Sequence, residues 1–382
     1  MATVSTDKTD YRARITDEMV QEMRDRIGEE IKGRKPYIYD ATEDTMRNWA
    51  KGLGDYNPLW HDPEYAAKTR WESPICHPAM FYAFNNLSSA TAGGMKGVHG
   101  FYAGTSWKWL QPVRLGDRIT AKAILKDFVE RPSTMAGRSF QQIGETTLRN
   151  QRGEVVAIAN PYSFRMERDA SQKSGKHKSI TLKKWSADEI RDISRQHREQ
   201  ENLRRGAEPR YFEDVKVGDS LGPIIRGPIT VSDIIVFLMG WGGAFIKAHG
   251  EAYDWYDRHP AGGPPNEFGI PESSERVHWD SDYARSVGVP AAYDYGPQRI
   301  GWLASLVTDW MGDDGFLESM DCQVRGFVMV SDLITLKGKV IEKEMVEGKP
   351  KVKVEIFADN HRDQHTALGT ATVVLPAKNS LH

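Results

Sequence analysis

Between Glu272 and Gly296 the chain gathers the groups that chemistry at a carbonyl compound requires. His278 is a base or acid able to work near neutral pH. Glu272 and Glu275 are carboxylates close to it in sequence, with Glu272 the first choice as its acidic partner; Asp254, Asp257 and His259 lie further back. Gly296 opens a helix-like run, and a glycine there presents a backbone N–H with no side chain in the way. Such a donor can hold a carbonyl oxygen as negative charge develops on it. Tyr293, Tyr295 and Trp279 stand beside these groups and are candidates to line a bound substrate.

The pattern has a second copy. The segment Gly54 to Ala66 aligns with the segment ending at Ala284 at an offset of 218 residues, so that Trp60 lies over His278, Asp62 over Asp280 and Tyr65 over Tyr283. A repeat of this kind must be found before the fold is argued. The first copy has an indole in place of the imidazole, and opposite Gly296 it has Pro78, which carries no N–H. Both groups survive in the second copy, so the chemistry is expected there. At the same offset Asp55 falls on Ser273, whereas the offset of the preceding helices, 188, would place it on Gly243. Neither is a carboxylate. Asp280, Asp55 and Asn57 are expected to brace their own loops through backbone hydrogen bonds.

Other candidates carry less. Cys76 and His77 are neighbours in sequence, and neighbouring residues seldom share the geometry of a nucleophile and its base. His61 points the other way if Asp62 is in register. His361 and His365 have the spacing of a helical metal pair, but strand-like runs flank them, and a loop is expected. The glycine-rich segments TAGGMKG and WGG lack the strand–turn–helix setting of a phosphate loop. No metal and no cofactor are implied.

These groups need elements to position them. Thr42 to Leu53 and Thr230 to Gly240 read as capped helices, each upstream of a motif copy. Residues 14–34 have helical periodicity. A further helix is expected from Gly296 to about Met311, and Pro74 to Phe84 reads as its buried counterpart. Strand-like runs follow each: Thr105–Leu110, Arg118–Leu125, Ser139–Leu148 and Val155–Phe164, then Cys322–Val330, Leu333–Ile341, Lys351–Ala358 and Ala367–Leu375, with a hairpin turn within Lys343 to Pro350. Tyr211 to Asp219 reads as an opening strand. The expected layout is a first domain at 1–168, degenerate in its chemistry, a charged linker at 169–207, helical in its second half, and a second, catalytic domain at 208–382 with an insertion near 244–273. Insertions beside a motif often form a lid or pocket wall.

A formal charge of -2 and a pI near 6.6 give no global field for nucleic acid or an anionic membrane, so no partner of either kind is expected. No apolar run is long enough to span a bilayer and no signal peptide is recognisable. Two cysteines are too few for a disulfide scaffold. A cytoplasmic protein is the expectation. The aromatic content suits large apolar cores or a wide hydrophobic tunnel alike.

Asp55, Asn57, Pro58, Asp62, Tyr65 and Ala66, taken up again by His278, Asp280, Tyr283 and Ala284, resemble the hydratase motif of the MaoC-like, (R)-specific enoyl-CoA hydratases. The resemblance spans two segments, 35–168 and 208–378. It implies an α+β fold of two fused hot-dog domains, each an antiparallel sheet wrapped around a central helix, with a thioester tunnel where the pair meets. It implies reversible hydration of a 2-enoyl-CoA to a 3-hydroxyacyl-CoA, coenzyme A being part of the substrate, in a homodimer or with a heteromeric partner. In that family an Asp and a His activate a water, and the glycine of a later His-Gly pair receives the thioester oxygen. Carried over, the His falls on His278 and the glycine on Gly296, preceded here by Tyr295. The insertion and the degenerate first half suggest a bulky or long acyl group. A hot-dog subunit that needs a partner for its missing acid, and an acyl-CoA thioesterase, are the alternatives.

Overall fold

The computed structural model describes residues 14–31, 35–85, 95, 98–132, 137–167, 180–243 and 246–378. Helices α1 (Asp17–Asp25) and α2 (Glu43–Leu53) precede the first motif loop, which ends in α3 (Pro63–Ala66); α4 (Phe81–Asn85) follows a 3-10 turn at Pro78–Met80. Helix α5 (Ala187–Glu199) lies between the halves. In the second half come α6 (Val231–Trp241), α7 (His249–Arg258), α8 (Ser281–Ser286) and α9 (Gly296–Met311). The strands are β1 (His99–Trp109), β2 (Thr120–Glu130), β3 (Ser139–Arg149), β4 (Val155–Met166), β5 (Ser220–Arg226), β6 (Phe316–Val324), β7 (Ile334–Val346), β8 (Lys349–Asn360) and β9 (His365–Val374).

Local sequence explains the helix bounds. Thr42 and Thr45 form a capping box at the start of α2, and Gly54, in the left-handed region, ends it. Thr230 and Asp233 repeat the box on α6, and Ser186 with Glu189 on α5. All residues of α9 except Gly296 and Asp309 are buried. A helix buried on nearly every side lies inside a core, and this one is wrapped by the second half of the sheet.

The nine strands form one antiparallel sheet in the order β2-β3-β4-β1-β6-β9-β8-β7-β5. The halves join at its centre, where β1 pairs with β6 and sets Thr105 opposite Cys322 and Trp107 opposite Met320. One hydrophobic cluster runs through both, from Met46 and Trp49 to Trp302 and Val373. Helices α2 and α6 cross at Gly52 and Gly240, equivalent residues at the offset of 188.

The elements differ from the sequence expectation in several places. The strand expected at Cys322–Val330 lies earlier, at Phe316–Val324, because the chain then leaves the sheet: Asp294 donates its N–H to Val328 O and Val330 to Ala292 O. The opening strand of the second half is Ser220–Arg226; in Tyr211–Asp219, Phe212–Asp214 is a 3-10 turn and Gly218 has φ +99°. The first helix is limited to Asp17–Asp25, and Gly28, φ +89°, turns the chain out of helical geometry. The insertion holds a helix of its own, α7. The hairpin turn is the pair Glu347–Gly348, both with positive φ. Among the described residues no helix is long and apolar enough to cross a membrane.

Candidate active site

The two motif loops carry the same hydrogen bonds. Asp280 Oδ1 accepts from the N–H of Asp282 and Tyr283, both at 2.9 Å, and Asp62 Oδ1 accepts from Glu64 at 2.9 Å and Tyr65 at 3.1 Å. Ser273 Oγ accepts from Glu275 N–H at 3.2 Å as Asp55 Oδ1 does from Asn57 N–H at 3.1 Å. The offset of 218 therefore holds along the whole loop. It pairs Ser273 with Asp55, Glu275 with Asn57, His278 with Trp60, Tyr295 with His77 and Gly296 with Pro78. Gly243 has no place in this register.

His278 is buried at the end of a 3-10 turn, Ser274–His278. Its Nδ1 donates to the carbonyl of Tyr293 at 2.8 Å, which leaves the lone pair on Nε2. Nε2 faces Glu275 Oε2 at 3.7 Å. In a 3-10 turn residues i and i+3 stand above one another, and this turn thus brings Glu275, not Glu272, to the imidazole. Glu272 lies before the turn and accepts instead from Asn266 Nδ2 at 3.1 Å and Arg276 Nη1 at 3.4 Å. Two acceptors 3.7 Å apart make no hydrogen bond with each other, but a water placed to one side of the pair could donate one hydrogen to each. Burial lowers the His278 pKa to about 4, so the ring is neutral at pH 7.

Tyr295 lies against the His278 ring, centroids 3.7 Å apart at 30°, and Tyr293 meets it edge-on at 4.6 Å. Tyr295 is the N-cap of α9 and packs edge-on against Trp241. Trp279 is half-buried and donates its N–H to Arg276 O. Gly296 is the first residue of α9, where a backbone N–H has no partner within the helix. A Cβ on it would come within 2.5 Å of the Tyr102 ring, and the Tyr102 hydroxyl is held by Tyr82 at 2.8 Å and Thr105 at 2.6 Å. The first half thus supplies the wall opposite Gly296.

Two residues of this site were outside the sequence reading. Tyr102 comes from β1, and nothing in its neighbourhood marks it. Arg276 had a readable sign: it sits four residues from both Glu272 and Asp280. Its buried guanidinium donates to the carbonyls of Pro264 at 3.1 Å and Pro265 at 3.0 Å and lies 4.0 Å over the Tyr283 ring. It ties the insertion to the turn that carries Glu275 and His278.

The first half uses its loop differently. Trp60 Nε1 donates to Asp55 Oδ1 at 3.0 Å. His77 Nδ1 accepts the N–H of Ala79 at 3.1 Å, so its proton is on Nε2, which faces Ser305 Oγ at 3.2 Å and Asp55 Oδ2 at 3.5 Å. With its lone pair occupied, His77 has no basic nitrogen to offer Ser305. Asn57 accepts from Leu59 N–H at 3.0 Å and donates to Asp313 Oδ1 at 2.9 Å. This is bracing across the two halves. Among the described residues no group of three or more His, Cys, Asp or Glu side chains could hold a metal ion.

Comparison with known proteins places the chain. A sequence model of the FAS1-like dehydratase domain region matches residues 25–159. The (R)-specific enoyl-CoA hydratase of Aeromonas caviae is 34% identical over 104 residues, 27% of this chain and 74% of that protein. This chain belongs to the MaoC-like, hot-dog-fold dehydratase family. The MaoC-like fold extends over both halves. A solved MaoC-like dehydratase matches with a TM-score of 0.63 at 16% identity, covering 93% of this chain and all of that one. A Mycobacterium tuberculosis protein with a double hot-dog fold matches with a TM-score of 0.53 at 10% identity, covering 90% of this chain and 96% of that one. At such identities the likeness is one of fold. The family's sequence model matches the half with Trp60, while the imidazole stands in the half beyond it.

Proposed function

We propose that this MaoC-like chain adds water reversibly across a 2-enoyl thioester, giving the 3-hydroxyacyl thioester, at His278 in its second half. The observation that carries this is the pair of facing acceptors, His278 Nε2 and Glu275 Oε2, 3.7 Å apart, beside the helix that Gly296 opens. Family membership supports the hydratase or dehydratase class of reaction.

A water beside Nε2 and the carboxylate is oriented by both. The neutral imidazole takes one of its protons as the oxygen bonds to C3. Electron density moves to the thioester oxygen, which the Gly296 N–H stabilises. A proton returned to C2 completes the addition, so one water is consumed and no proton is gained or lost overall. The Nδ1–H bond to Tyr293 O keeps the ring in the tautomer this step requires. The thioester is taken to be of coenzyme A, and the acyl group to be long or bulky, because the insertion held by Arg276 and the Tyr102 wall bound a site built from both halves.

The test is turnover of short, long and ring-bearing trans-2-enoyl-CoAs by the purified chain, followed as loss of the enoyl thioester absorbance. His278→Ala should lower kcat/KM by about a hundredfold or more. Failure to turn over any of the set, or a variant as fast as the parent, would refute the assignment.

A further inference from the structure

A cavity of about 470 Å³ of empty volume, its open mouth included, lies beside the first motif loop, is walled by residues of both halves and does not include His278 or Gly296. Thr308, in its wall, and Gly296 belong to the same helix, and a rise of 1.5 Å per residue sets them about 18 Å apart. Asn57, Trp60 and Pro78 also line it. These are the residues that stand where Glu275, His278 and Gly296 stand in the second half, so the cavity is the internal counterpart of the proposed catalytic site. Carboxylate, imidazole and free N–H have each been replaced, yet the space has not been filled.

The replacements fix what can enter. Trp60, Trp71 and Trp109 face the cavity, and each indole N–H is spent within the fold: on Asp55 Oδ1 at 3.0 Å, on Asp313 O at 2.7 Å and on Pro78 O at 3.1 Å. The Asp313 carboxylate is occupied by Asn57 Nδ2 at 2.9 Å and the Tyr65 hydroxyl at 2.5 Å. A polar or charged group moved against these three indoles finds no unspent indole N–H. A hydrocarbon group gains burial, and an aromatic ring gains edge and face contacts with three indoles.

We propose that this cavity is a second, non-catalytic binding site for an uncharged apolar group about the size of one ring, aryl or short branched alkyl. The inference stands on the cavity and its committed hydrogen bonds, and does not depend on the reaction assigned to His278.

Crystals of the full chain soaked in bromobenzene should show the bromine anomalous signal between Trp60 and Trp109. In solution, fluorobenzene followed by 19F NMR should bind saturably to the parent chain and equally to His278→Ala. Gln111→Trp, a half-buried wall position, should weaken it by about tenfold or more, and Thr308→Phe should do the same from the opposite wall. Both variants should keep the parent's turnover of enoyl-CoA, if it has any. Bromine found only elsewhere, no saturable binding, or binding lost in His278→Ala but kept in both wall variants would each overturn the proposal. If neither wall variant folds, the soaked parent crystal alone decides.

Discussion

His278 is set apart from His77 by the direction of its lone pair. His77 is as deeply buried, but its basic nitrogen is tied to Ala79 N–H, whereas that of His278 faces a carboxylate. The choice between the two acids follows from the turn. Glu275→Gln should lower kcat on the enoyl thioester by about a hundredfold with little change in KM, and Glu272→Gln should alter kcat far less. Steady-state kinetics on both variants checks this, and the reverse ranking would move the acid back to Glu272. The imidazole also sets a pH dependence. Burial lowers both His278 and His77 to about 4, against about 6.5 in an unfolded chain. Between those values the unfolded state binds more protons than the folded one, so stability rises with pH across the window and is lost as pH falls from about 6.5 towards 4. Each histidine contributes on the order of 3 kcal/mol at full shift. Urea unfolding at pH 7 and pH 5 should show the loss, and a smaller loss in His278→Ala; a parent chain equally stable at both values would contradict it. Much of the residue scale was legible. Asp280 and Asp55 brace their loops over two or three residues, a range that sequence spacing conveys. Glu275 was not preferred, because counting against Asp55 leads to Ser273, and only the 3-10 geometry of the turn turns position 275 towards the ring.

At the scale of elements, the capped helices and most strands could be read from periodicity and turn residues. The misplacements have a common cause. Tyr211–Val217 and Phe327–Val330 carry aromatic and β-branched residues suited to strands, yet their backbones bond to loops, the latter to Ala292–Asp294 beside the site. Residue type reports what suits a half-buried strand and says nothing of what the backbone pairs with. The crossing of α2 and α6 offers a test of the internal two-fold. An alanine Cβ at Gly240 would lie 2.5 Å from Asn48 O and 3.1 Å from Trp49 Cα. Helix propensity favours alanine there by about 1 kcal/mol, but backbone atoms this close cannot move aside alone, and overpacking costs about 1–3 kcal/mol or more. The clash wins. Gly240→Ala should therefore lower Tm. Gly52→Ala, whose nearest neighbours are 3.0 Å (Phe237 Cα) and 3.2 Å (Val236 O) away, should lower it less. Calorimetry that found Gly240→Ala as stable as the parent would mean the helices do not cross this closely.

For the whole molecule, the repeat made a fused pair legible, but not how the pair is joined. Pairing of β1 with β6 is non-local and leaves no mark in either strand alone. The joint is nonetheless where the fold commits itself. The sheet is continuous across it, a single apolar cluster draws on both halves, and Asp313, just past α9, anchors the first motif loop through Asn57, Tyr65 and the Trp71 indole. Neither half could be removed without exposing the edge of β1 or β6 and a face of the shared core. The chain should accordingly unfold in one cooperative step, with far-UV circular dichroism and tryptophan fluorescence giving coincident urea transitions. Asp313→Ala tests the joint locally. It leaves the Asn57 amide and the Tyr65 hydroxyl without their acceptor, at about 1–3 kcal/mol for each buried group left unsatisfied. The midpoint should fall while the transition stays single, because the loop that loses its anchor is packed into the same core. Two resolved transitions in the parent chain would show the halves to be independent domains, and the Tyr102 wall opposite Gly296 could then no longer be counted as a fixed part of the site.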